Sequence, residues 1–113
     1  METILENLPL LSDGEFDILE CVWNSPRELT QTEITRSVNA HTGKDLKVVT
    51  ISTYIKRIMW KGYLNKNVEE GSRFPTYSAA VSKEEYFNRS AEGFIKRWGK
   101  DAVLKMAEMC SEK

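Results

Sequence analysis

Apolar residues recur along this chain with two different periods, and the change of period separates one kind of element from another. Phe16, Leu19, Val22 and Trp23 stand at helical spacing, predicting a helix over about 13–24 that ends at the Asn24-Ser25-Pro26 break. Its start is marked by Leu-Ser-Asp-Gly-Glu-Phe. Ser12 is the predicted N-cap, Glu15 three residues later completes a capping box, and Leu11 and Phe16 flank it as a hydrophobic staple. The same device recurs in Leu-Thr-Gln-Thr-Glu-Ile, with Thr30 as cap, Glu33 as its return partner and Leu29 opposite Ile34. This second helix is expected over about 31–41, burying Ile34 and Val38 and stopping before Thr42-Gly43; Leu29 is expected to pair briefly as a strand.

A third helix is predicted over about 48–61, closed by Gly62. At 100° per residue, Ile51, Ile55, Ile58, Met59 and Gly62 fall in one apolar arc. Val49, Ser52, Thr53, Lys56 and Trp60 lie opposite, with Thr50 and Arg57 on the flank. Val48, Val49, Thr50 and Ile51 are all β-branched, so local propensity is poor and the isoleucine row has to hold the helix by packing. Trp60 has two readings: packed beneath the following hairpin or against the first helix, since helix angles blur near an end, or laid along a sugar-phosphate strand.

After Gly62 the period shortens. Tyr-Leu-Asn-Lys-Asn-Val and Arg-Phe-Pro-Thr-Tyr-Ser-Ala bracket Glu69-Glu70-Gly71-Ser72, which predicts a hairpin. Pro75 lacks an N–H, so the second strand should be an edge or carry a bulge. Helical spacing then returns from Ser82, a third predicted cap with Glu85, through Phe87, Ala91, Phe94, Ile95, Trp98, Ala102, Val103, Met106 and Ala107 to Cys110, loosened or broken near Gly93 or Gly99. The fold class is therefore mainly α with a small β-hairpin. Three helices and a hairpin are the order of a winged helix-turn-helix, expected over residues 1–80, followed by a helical dimerisation region over 81–113.

Charge sharpens the picture. The net charge of −1 hides a gradient: residues 12–42 carry two cations and six anions, whereas residues 43–82 carry seven cations and three anions. The positive block contains the third helix, which suits a polyanionic partner. Short hydroxyls near the start of a recognition helix reach base edges, methyls meet thymine, and cations neutralise phosphates. Thr50, Ser52 and Thr53 supply hydroxyls, Val49 and the threonines supply methyls, and Lys47, Lys56, Arg57 and Lys61 supply charge. Lys66 and Arg73 fall in the hairpin, where a wing touches flanking backbone. The tail carries more apolar surface than a small winged domain covers. Phe87, Phe94, Ile95, Trp98, Val103, Leu104, Met106 and Ala107 are the expected dimer contacts, and a two-fold protein reads a palindrome.

Other chemistry finds little support. No nucleophile–base pair, phosphate loop, CxxC, HExxH or Cys/His cluster occurs, so neither an enzyme nor a metal or cofactor site is expected. Cys21 and Cys110 read as reduced, half-buried apolar residues, and His41 as a surface residue near a helix C-terminus. The N-terminus has no basic region or small-residue cleavage site and no apolar run is long enough to span a bilayer, so the expected compartment is the cytoplasm. A second reading stays open, in which the winged helix is a protein-interaction module that docks through its tail.

These motifs resemble the penicillinase-repressor family (BlaI/MecI/CopY type) of winged-helix transcriptional regulators. SDGEFDILECVW, LTQTEI, TISTYIKRIMWKGYL, EEGSRF and VSKEEYFNRSAEGFIKR carry the likeness, over roughly residues 10–100. The resemblance implies a homodimeric repressor on a palindromic DNA operator, with Thr50 and Thr53 matching recognition-helix threonines, Ser52 at a position often polar, and Arg57 matching the family arginine. It also implies an upstream membrane sensor protease that triggers cleavage in the C-terminal region, though no residue here is assignable to that event. Val48-Val49 stand where several relatives have proline and lysine, which implies a different operator. The Gly71–Tyr77 spacing is one residue longer than expected, which implies a bulged wing, and the tail ends where relatives commonly continue. Cys110 alone cannot be the metal site of the copper-responsive branch.

Overall fold

The computed structural model describes residues 10–111. The N-terminal segment read for a secretion signal lies, as far as residue 9, outside them. The chain divides into two compact units, Met1–Lys83 and Glu84–Lys113.

In the first unit, α1 (Asp13–Asn24), α2 (Gln31–Thr42) and α3 (Val48–Trp60) pack on one another. Two of the three expected capping boxes are seen at α1 and α2. Ser12 N donates to Glu15 Oε1 at 2.8 Å while Glu15 N donates to Ser12 Oγ at 3.3 Å, and Thr30 and Glu33 repeat the exchange at 2.9 and 3.3 Å. Arg27 also pairs with Glu33, and with the Thr30 cap this pushes the Glu33 carboxyl down to about 2. Gly43 closes α2 in the left-handed region at φ 73°, which a side chain would strain.

The core is built from Ile18, Leu19, Ile34, Val38, Ile51, Ile55, Ile58 and Tyr63, all buried. The expected face of α1 needs adjusting: Ile18 is fully buried, whereas Phe16 and Trp23 are half-buried and meet edge to face at 5.7 Å. Trp23 Nε1 finds its acceptor in the Val81 carbonyl at 2.9 Å, which lets an indole lie part-way into the apolar layer.

The hairpin is β1 (Leu64–Asn67) with β2 (Thr76–Ala79), antiparallel, Leu64 opposite Ala79 and Asn67 opposite Thr76. The ladder is continuous, so the expected bulge is not there. Pro75 lies one residue before β2, where it interrupts no pairing. Nor is β2 an edge at Tyr77. Leu29 forms the expected bridge, exchanging hydrogen bonds with Tyr77 of 2.7 and 3.2 Å. Glu28 strengthens that junction by accepting from Asn67 Nδ2 and Thr76 Oγ1.

The second unit holds α4, whose first residue is Lys83, and α5; they run Lys83–Trp98 and Lys100–Ser111. The break falls at Gly99, which takes φ 85°, and Gly93 stays inside α4. α4 buries Tyr86 and α5 buries no residue.

Candidate nucleic-acid interface

The outer face of α3 is the candidate site, and three devices hold it. Ile51, Ile55 and Ile58 anchor the inner side. At the N-terminal end, Asn39 bonds the Leu46 backbone through both ends of its amide, accepting from Leu46 N at 2.9 Å and donating to Leu46 O at 3.0 Å. Gln31 Nε2 donates to Val48 O at 3.0 Å. At the C-terminal end, Lys61 Nζ donates to Glu15 Oε1 at 2.6 Å and to Leu10 O at 3.2 Å.

That last contact corrects one expected role. Lys61 is only 18% exposed and Glu15 2%, so this cation neutralises an internal carboxylate and is not presented to a phosphate. Burial pushes the Glu15 carboxyl up. The Lys61 ammonium and the Ser12 bonds outweigh that and leave it below its ordinary value.

The remaining expected residues of α3 share one surface. Val49, Thr50, Thr53, Lys56 and Arg57 are exposed and Ser52 is half-buried; Lys47 is exposed just before the helix, 3.9 Å from Asp45. Thr53 Oγ1 donates to Val49 O at 3.3 Å, so the hydroxyl proton is turned onto the helix backbone. From Lys47 to Lys61 there is no acidic residue. Trp60 is 83% exposed, which rules out the packed reading: it continues the stripe of Val49, Thr53 and Lys56 to the end of the helix. Lys66 and Arg73 are exposed on the hairpin, with the Arg73 guanidinium over the Phe74 ring at 5.7 Å.

The expected dimer contacts all lie on the second unit. Phe87, Ile95, Trp98, Val103, Leu104, Met106 and Ala107 are exposed in the single chain, and half-buried Phe94 packs against Trp98 with ring centroids 6.3 Å apart. Met109 is also exposed and extends the same spacing. Among the described residues no helix is long and apolar enough to cross a membrane, and no group of three or more His, Cys, Asp or Glu is placed to hold a metal ion. Cys21 is buried, which pushes its thiol up and away from reactivity; Cys110 is exposed on α5.

A helical support, an outward-facing third helix and a two-stranded hairpin define a winged helix-turn-helix protein. The fold is shared with PerR from Streptococcus pyogenes, in a structure described as the basis for its peroxide sensing and gene regulation (12% identity, TM-score 0.54, covering 61% of this chain and 46% of that one). A second structure, described as GAS PerR-Zn-Zn, gives the same identity, TM-score and share of this chain, with 43% of the other covered. This chain thus spans less than half the length of the solved structures it matches, and at that identity the likeness concerns the fold alone. No curated protein matches. The penicillinase repressor model matches residues 11–113, and the chain belongs to that family of transcriptional repressors.

Proposed function

We propose that this repressor is a homodimer that binds a palindromic DNA operator in the cytoplasm, with residues 1–80 as the DNA-binding domain and 81–113 as the dimerisation region. The observation that carries the reading is the outer face of α3, rigidly backed by isoleucines, free of acidic residues and continuous from Val49 to Trp60. Val49, Thr50, Ser52 and Thr53 approach the bases, Lys47, Lys56 and Arg57 the phosphates, and Arg73 the backbone beside the wing. Two copies joined through α4 and α5 set their α3 helices in successive major grooves about 34 Å apart. A membrane sensor protease as upstream partner follows from the family alone.

The test is a binding titration at two salt concentrations. Affinity falls steeply with salt, and Lys56→Ala lowers the slope of log K against log salt by about one per protomer, on every sequence alike. Thr53→Ala instead costs about 1 kcal/mol on the preferred site and leaves nonspecific binding unchanged. A salt-insensitive response together with a stable hetero-complex supports the other reading, a protein-interaction module. Light scattering checks the assembly: the chain weighs 13.0 kDa, and the particle should weigh twice that, reverting to one chain in a Trp98→Glu, Leu104→Glu variant. A monomeric wild type at micromolar concentration rules out the dimer.

A further inference from the structure

The reading half of α3 is unusual for what it lacks. From Val48 to Ile55 no side chain is an amide, a guanidinium or a carboxylate, the groups that make paired hydrogen bonds to adenine, guanine or cytosine edges. The nearest amides belong to the fold: Gln31 is engaged with Val48 O, and Asn39 with both polar atoms of the Leu46 backbone. Thr53 has its hydroxyl proton on Val49 O, so toward a ligand it offers a methyl and lone pairs. Lys56 and Arg57 come only in the third turn, where they suit phosphates.

What remains at the centre of the outer face is hydrocarbon. Val49 is 78% exposed at the first turn, a costly place for a branched apolar side chain on helix propensity, and Thr53 follows one turn later. The two are separated by about 6 Å along the axis, or roughly two base-pair steps. The thymine C5-methyl is the apolar group that the major-groove code offers. We infer that Val49, with the Thr53 methyl beside it, selects thymines on neighbouring base pairs of each half-site by methyl–methyl contact. This rests on the DNA-binding reading above and adds to it the base recognised and the group on that base.

The test removes the methyl from the DNA and leaves every hydrogen-bonding group in place. The preferred duplex is selected from a random library with the full chain. Symmetric pairs of thymines are then replaced one pair at a time by deoxyuridine, and Kd is measured for the wild type and for Val49→Ala. Each buried methyl contributes about fourfold, so one thymine per half-site gives roughly tenfold or more. The expected result is at least one pair whose deoxyuridine form binds the wild type about tenfold more weakly and Val49→Ala no more than threefold. Alanine raises helix propensity at this exposed position, so the variant folds. If no replacement changes Kd beyond twofold, or if both proteins lose equally at every position, the inference is overturned while DNA binding stands. If the selection returns no preferred duplex, sequence-specific binding falls and the inference with it.

Discussion

Lys61→Ala is expected to lower the stability of the winged unit by about 3 kcal/mol at neutral pH, measured by denaturant unfolding of the full chain. The loss comes from the Glu15 carboxylate, which the variant leaves buried without its cation. The figure stands at the low end of the range for a broken buried pair, because Lys61 is partly exposed and Glu15 keeps the Ser12 N–H. The pH dependence separates this from a simple packing loss. In the wild type the Glu15 pKa is lowered on folding, so its contribution is fully present above about 4.3, the ordinary glutamate value, and is lost as pH falls through the lower folded value. In the variant, burial acts on Glu15 without Lys61 to oppose it, and protonation relieves the strain. The gap between the two proteins should therefore narrow on acidification. A loss under 1 kcal/mol, with affinity reduced on all DNA sequences, would return Lys61 to the phosphate-binding role that its sequence position suggested.

Ile55→Ala should cost a similar amount for a different reason. Ile55 is 2% exposed in the middle of the row that fixes α3, and truncation there removes transfer energy and leaves a cavity, about 3 kcal/mol together. For a domain of this size that lowers Tm by roughly 12–24 °C. Specific and nonspecific DNA binding should fall together in the variant when measured near its Tm and recover together on cooling. Thr53→Ala, on the outer face of the same helix, should leave Tm within a degree or two. A small Tm shift for Ile55→Ala would mean that α3 is held by something other than its isoleucines.

These two side chains also mark where sequence reading succeeded and where it failed. The isoleucine row and the Ser12/Glu15 and Thr30/Glu33 boxes were legible because each is set by residues within about a turn of one another, whose spacing alone decides the geometry. Lys61 was misassigned because its partner is 46 positions away: helix periodicity places it near a boundary, and only packing brings Glu15 under it. Trp60 was left with two readings for a related reason, since an angle at a helix end does not say whether a neighbour covers it. Pro75 was placed inside the second strand, and the bulge expected from it is not there. The proline avoids the conflict by preceding β2, an outcome that depends on how many residues the turn takes up. The outer face of α3 was legible as residue types. That Gln31, Asn39 and the Thr53 hydroxyl are already engaged was not, because each bond is made to a backbone atom that the sequence does not identify.

The carboxylate of Glu15 both begins α1 and fastens the far end of α3, so the rotational setting of α3 is inherited from the first helix. Mutations at 49, 53, 56 and 60 can accumulate without turning the rod or melting it. Such a scaffold can acquire a new regulatory target through a handful of surface substitutions, while its frame drifts on a separate and slower clock.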